Sequence, residues 1–265
     1  MRDLAGARAL VTGASSGLGP VIARRLHQEG VRLVLTARRR PELEELAREL
    51  VGSYVIAADL SKRGEPERVA EEATASGDVD ILVANAGLPG SGELLSFDMA
   101  SLDRALDVNL RAPIVLARQL LPGMLERGRG HVVLMASLAG KVAAPKISIY
   151  AATKFGVRGF GHALRAELRG TGVGVSLISP TYVSEAGMWA ETGQRAPVGE
   201  VTPAEVADSI VTAIRNDRAE VTVAPLPLRV ATRIPMAFPE LIHTPIARGA
   251  GGHPDAAVES QKAKR

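Results

Sequence analysis

Tyr150-Ala151-Ala152-Thr153-Lys154 places a phenol and an amine four residues apart, so on a helix both lie on one face. Free tyrosine titrates near a pKa of ~10, and a neighbouring ammonium favours the phenolate and lowers that value. The pair is therefore a usable proton donor and acceptor. Few other side chains compete for the role, because the chain has 265 residues but three tyrosines and no cysteine. Thiol nucleophiles, disulfides, Fe–S clusters and Cys-type zinc sites are excluded, and the five histidines are too dispersed for a local metal motif. Tyr54 and Tyr182 have no lysine four residues on. Ser137, upstream of Tyr150, offers a hydroxyl that can polarise a carbonyl or hold an alkoxide, or can simply occupy a turn. Asn109 is a poor helix former inside a helical stretch; it either points at a functional partner or bonds local backbone.

A second group suits a phosphorylated cofactor. Thr12-Gly13-Ala14-Ser15-Ser16-Gly17-Leu18-Gly19 follows an apolar strand-like run and opens an amphipathic one. There glycines permit a tight turn and close backbone approach to a pyrophosphate, while the helix N-terminus favours its charge. At the end of the next strand, where the adenine ribose is read, stands Thr36-Ala37-Arg38-Arg39-Arg40 without a carboxylate. Arginine suits a 2′-phosphate, so NADP(H) is favoured over NAD(H), with Arg38 as the ligand and Arg39 and Arg40 as a solvated helix start. Asp59, beside Leu60, either accepts a bond from the adenine amino group or caps a turn.

The elements that position these residues alternate. Nearly all-apolar runs at 8–12, 32–36, 54–57, 80–84, 131–136, 174–179 and 220–224 read as strands of a parallel sheet covered on both faces. Amphipathic stretches at 18–29, 41–50, 65–76, 101–127, 148–169 and 203–216 read as helices, with Pro41, Pro66 and Pro203 in first turns. This order predicts a single-domain α/β fold, a doubly wound parallel sheet of about seven strands flanked by helices. Residues 1–228 form that domain. Residues 229–265 form a basic extension interrupted by prolines, and Gly249 to Arg265 reads as a polar, mobile tail.

Together, Thr-Gly-x-x-x-Gly-x-Gly at 12–19, Asn85-Ala86-Gly87 after the fourth strand, Asn109, Ser137, and Tyr150 with Lys154 resemble the short-chain dehydrogenase/reductase family across about residues 5–224. The resemblance implies a Rossmann sheet, a nicotinamide cofactor and reversible hydride transfer between a carbonyl and an alcohol. It implies Tyr150 as general acid in reduction, Lys154 on the nicotinamide ribose and depressing the tyrosine pKa, and Ser137 orienting the carbonyl. Asn109 would hold a water relaying protons to Lys154, and Asn85, Ala86 and Gly87 would support the central strand beside the adenosine ribose. Pro180 and the Val183 backbone join the cofactor contacts. The chain departs from the family's Pro-Gly-x-x-x-Thr at Pro180-Thr181-Tyr182-Val183-Ser184-Glu185: a carboxylate near pyrophosphate is repulsive, so Glu185 is not taken as a ligand and Ser184 is a replacement donor.

The stretch at about 184–201 is expected to be the substrate lid. Met188 and Trp189, with Leu138 and Val142, either line an apolar pocket for a hydrophobic ketone, aldehyde or secondary alcohol or pack the lid onto the body. A cofactor-binding sensor or scaffold with little turnover is the alternative. The net charge of +3 equals the surplus of residues 229–265, six basic against three acidic, and without aromatic interleaving it argues against nucleic acid. No run is long enough for a membrane span. Peripheral membrane contact by the extension is disfavoured by its poor amphipathic periodicity. The N-terminus lacks signal-peptide features, so the expected setting is cytoplasmic, as a homodimer or homotetramer.

Overall fold

The computed structural model describes residues 1, 3–194, 196, 199–232 and 255–261. Strands β1 (Arg8–Thr12), β2 (Arg32–Ala37), β3 (Tyr54–Ala57), β4 (Ile81–Ala84), β5 (Gly130–Met135) and β6 (Val173–Pro180) precede a short pair, β7 (Tyr182–Val183) and β8 (Glu200–Val201). Strand β9 (Glu220–Val223) follows. Seven of them form one sheet in the order β3-β2-β1-β4-β5-β6-β9, with every pairing parallel. The helices are α1 (Leu18–Gln28), α2 (Arg40–Glu49), α3 (Glu65–Ala75), α4 (Met99–Leu106), α5 (Ala112–Glu126), α6 (Ser148–Glu167), α7 (Pro203–Arg215) and α8 (Leu226–Ala231).

The continuous apolar strands are buried on both faces, as a parallel sheet requires. Successive residues alternate between two cores: Ala9 and Val11 of β1 join Ile22 and Leu26 of α1 and Ile210 of α7. Leu10 faces the other way, toward Val69 of α3, Leu116 of α5 and Val157 of α6. Strand order reverses between β1 and β4, and the crevice at their carboxyl ends is where such sheets bind ligands. Thr12, Asn85, Ser137 and Pro180 all sit at or just beyond those ends.

Three features differ from expectation. The helix expected over 101–127 starts at Met99 and is divided by a π turn at Asp107–Arg111. Pro113 explains part of this, since it has no N–H to give the carbonyl of Asn109 four residues earlier. The β7–β8 pair is additional and ties the segment after β6 to the entry of α7. The tail expected to be mobile contains a helix, Asp255–Gln261, whose Gln261 is only 5% exposed. Its Asp-Ala-Ala-Val start after Pro254 is helix-compatible, a local signal that the overall polarity concealed. Pro235, Pro239 and Pro245, read as helix interrupters, lie outside the described residues.

Candidate active site

Ser137 leaves β5 in extended conformation and caps the short turn Leu138–Gly140, its hydroxyl accepting from the Ala139 N–H at 3.2 Å. The same hydroxyl lies near enough to the Tyr150 phenol to pull its pKa down. Lys154 is 4% exposed; its Nζ donates to the Met135 carbonyl at 2.8 Å and lies 5.5 Å from the Tyr150 ring centre. Two glycines let α6 approach this closely. A β-carbon on Gly90 would come within 2.8 Å of the Tyr150 nitrogen, and one on Gly140 within 2.7 Å of the Lys154 carbonyl oxygen. Neither glycine stood out in the sequence, because each belongs to a loop whose partner is distant along the chain.

The electrostatics of the pair are set by burial. Burial raises the Tyr150 pKa above its ordinary value, only partly offset by the nearby Ser137 hydroxyl. Tyr150 retains some exposed surface, so the burial effect belongs to its enclosed phenol end. Lys154, whose Nζ donates to the Met135 carbonyl, is not among the causes of that shift. Burial lowers the pKa of Lys154 itself to about 8, since a charged amine loses hydration in an apolar surround.

Asn109 is buried in the π turn, and its amide pairs with one backbone unit twice over. Oδ1 accepts from the Leu88 N–H at 2.6 Å, and Nδ2 donates to the Leu88 carbonyl at 2.9 Å. The side chain thus fixes the loop after β4. A water relay would have to use the Asn109 carbonyl, deprived of its α-helical donor by Pro113.

The glycine-rich turn is built as a cradle. Gly17 has φ +60 and precedes α1, which has neither a side-chain cap nor an acidic residue in its first turn, so its N–H groups suit an anion. A β-carbon on Gly13 would come within 2.9 Å of Ala86 Cα, and one on Gly19 within 2.1 Å of the Gly13 oxygen. Thr12, outside the expected ligand set, locks the turn to β4: its Oγ1 accepts from Asn85 N at 3.0 Å and Ala86 N at 2.8 Å. Asn85 Nδ2 returns a bond to the Thr12 carbonyl at 2.9 Å, tying the end of β4 to the end of β1.

Arg38 is exposed and has no hydrogen bond or ion pair among the described residues. Arg39, expected only to start a helix, reaches back to the Ser15 carbonyl at 3.0 Å while pairing with Glu42 at 3.0 Å. Ser16 is exposed beside them. Asp59 adopts the turn-capping alternative, Oδ1 accepting from Ser61 N at 3.1 Å and Ser61 Oγ at 2.8 Å, with Leu60 buried next to it.

After β6, the Ser184 N–H donates to the Val201 carbonyl at 2.9 Å. The Val183–Val201 parallel register then turns the Val183 N–H and C=O away from β8. Ser184 Oγ also donates to Val201 O at 3.3 Å, so its hydroxyl is engaged within the fold. Glu185 takes φ +62 and is exposed. In the segment after β7, Trp189 is 6% exposed, packs against Tyr182 with ring centres 4.3 Å apart and ring planes tilted by 53°, and donates to Glu200 at 3.4 Å. These contacts give Trp189 the packing alternative. Met188 instead turns inward, its Cε 3.3 Å from where a β-carbon of Gly87 would stand, and Leu138 stays partly open beside Ser137.

Residues 7–197 match the family model described as short chain dehydrogenase. A ketoacyl reductase, HetN, of Nostoc sp. is 37% identical over 256 residues, covering 94% of this chain and 89% of that protein. A metagenomic short-chain oxidoreductase solved with NADP shares 35% identity with a TM-score of 0.73, over 84% of this chain and 98% of that one. An actinorhodin polyketide ketoreductase variant solved with NADPH shares 32% with a TM-score of 0.77, over 84% and 98%. With the sheet order, the glycine cradle and the family match in agreement, this chain belongs to the short-chain dehydrogenases.

Proposed function

We propose that the protein is an NADP(H)-dependent reductase of hydrophobic carbonyl compounds, working reversibly on the corresponding secondary alcohols. The observation that carries the reading is the Ser137–Tyr150 hydroxyl pair with the buried Lys154 one helical turn on. The glycine cradle and the uncapped start of α1 fit a dinucleotide: the turn at 13–19 would hold the pyrophosphate, and Arg38 with Arg39 the 2′-phosphate. Val183 would hold the carboxamide through its backbone and Lys154 the nicotinamide ribose. When bound, NADPH supplies a hydride. Ser137 then holds the substrate oxygen, and Tyr150, kept protonated by its raised pKa, delivers the proton that oxygen needs to become a hydroxyl.

The printed names of HetN and the polyketide ketoreductase make ketoacyl compounds the first substrates to test, and Leu138 and Met188 supply apolar walls. The same reading places the enzyme in the cytoplasm as a homo-oligomer, and exposed Phe155 and Met99 are apolar surface a second copy could cover.

NADPH oxidation with a panel of ketoacyl thioesters and apolar ketones tests the reading. Tyr150→Phe should lose about 10²–10⁴-fold in turnover, and Arg38→Ala should weaken NADPH far more than NADH. Binding without turnover in the wild type would favour the sensor alternative, and full activity in Tyr150→Phe would defeat the mechanism.

A further inference from the structure

Two consecutive lid residues touch both turns assigned above to the cofactor. Gly187 Cα lies 3.1 Å from the position of a Gly17 β-carbon, while Met188 Cε is 3.3 Å from that of Gly87, beside Asn109 Oδ1 at 3.4 Å. The lid backbone therefore crosses the cleft between the glycine-rich turn and the loop after β4. What fastens it there comes from the far end of the chain. Gln261 Nε2 donates to the Met188 carbonyl at 3.1 Å, and its helix packs on the lid turn Ala190–Thr192. Gln261 is buried, yet its Oε1 has no partner among the described residues. One end of the amide is thus committed to the lid while the other bears an unmet cost of burial.

We propose that the helix Asp255–Gln261 is a strap that holds the lid across the cofactor cleft, with Gln261 as the positioning residue, and that the strap must release before NADP(H) binds. The proposal rests on the cofactor reading given above. A closed form that excludes the ligand lowers apparent affinity in proportion to the open fraction. Weakening the strap should therefore tighten cofactor binding, the reverse of what loss of a merely structural contact would do. The unpartnered Oε1 makes the fastening easy to release, since the strapped state gains one hydrogen bond while burying an unsatisfied acceptor.

The full chain suits a direct test because its one tryptophan, Trp189, lies in the lid. Gln261→Met keeps the shape and removes the donor; Gln261→Glu sets a carboxylate against the Met188 carbonyl and provides an independent variant. Acrylamide quenching of Trp189 without cofactor should increase in both. The Kd for NADP⁺, measured by calorimetry, should fall about fivefold, the equivalent of one net hydrogen bond. Thermal melts establish that each variant is folded. NADP⁺ binding to the wild type with unchanged or weaker binding in the variants overturns the strap and leaves the cofactor reading standing. Increased quenching without a change in Kd overturns the gating role. No NADP⁺ binding by any form overturns the cofactor reading, and the gate with it.

Discussion

Lys154 shows at the scale of one side chain how the site is maintained against the interests of the fold. Its pKa is near 8 in the folded protein against ~10.4 for a free lysine. The unfolded chain therefore binds the proton more tightly, and folding is penalised wherever both forms are protonated. Below about pH 8 that penalty is complete, on the order of 3 kcal/mol; it diminishes as pH rises toward the unfolded value. Lys154→Met should remove it while leaving the Met135 carbonyl without its donor, an offsetting cost of about 1–3 kcal/mol, so the variant should equal the wild type or exceed it by up to about 2 kcal/mol at pH 7, together with loss of reductase activity. Urea denaturation of the two forms at pH 7 measures this, and a variant less stable than the wild type would contradict the assigned burial cost. The four-residue spacing to Tyr150 was legible in the sequence. The direction of the tyrosine's shift was not, because it depends on how far elements distant in the sequence enclose the phenol.

At the scale of elements, the strands and most helices were readable because a parallel sheet covered on both sides demands uninterrupted apolar runs, and these stand out between polar helices. The helix around Asn109 was harder to read. Its hydrophobic periodicity continues through residues 101–127, whereas the π turn at Asp107–Arg111 answers to Pro113 and to the doubly bonded Leu88 unit across the site. Proline four residues after an asparagine was the available signal. Asn109→Leu should leave the buried Leu88 N–H and C=O unpaired, at about 1–3 kcal/mol for each orphaned group. The loop after β4 would lose its anchor, so the expected result is a lower thermal midpoint and weaker cofactor binding together. Unaltered stability would show that the Leu88 bonds do not hold this loop. Thr12 and Arg39 went unassigned for a related reason: their partners at Asn85, Ala86 and Ser15 are set by topology and are not implied by local spacing.

Over the whole molecule, the two ends of the sheet are stabilised by different chemistry, and pH separates them. At the end opposite the active site, His131 is fully buried between strands, with Nε2 2.8 Å from Ser176 Oγ. Ser176 gives its own proton to the Arg218 carbonyl, so the histidine is the donor of that pair and Nδ1 has no partner among the described residues. Burial lowers the His131 pKa from 6.5 to about 4; the N-terminal charge and Arg165 act in the same direction, while Asp217 opposes them. The unfolded chain thus binds more protons between those two values, and stability is lost as pH falls from 6.5 toward 4, by roughly 3 kcal/mol in all. At the carboxyl end of the sheet, Glu220 is drawn upward by burial, but hydrogen bonds from Arg158 and Lys141 outweigh this and hold it at about 2. Its contribution persists above the unfolded value near ~4.3 and disappears only as pH falls below that. Urea midpoints at pH 7.0, 5.5 and 4.5 should therefore fall in the wild type before the carboxylate window is reached. His131→Leu should flatten this decline. A wild-type midpoint that stays constant from pH 7 to 5 would mean that the buried imidazole finds a proton acceptor in the fold, and Asp217, already paired with Arg165 at 2.7 Å, would be the group to examine.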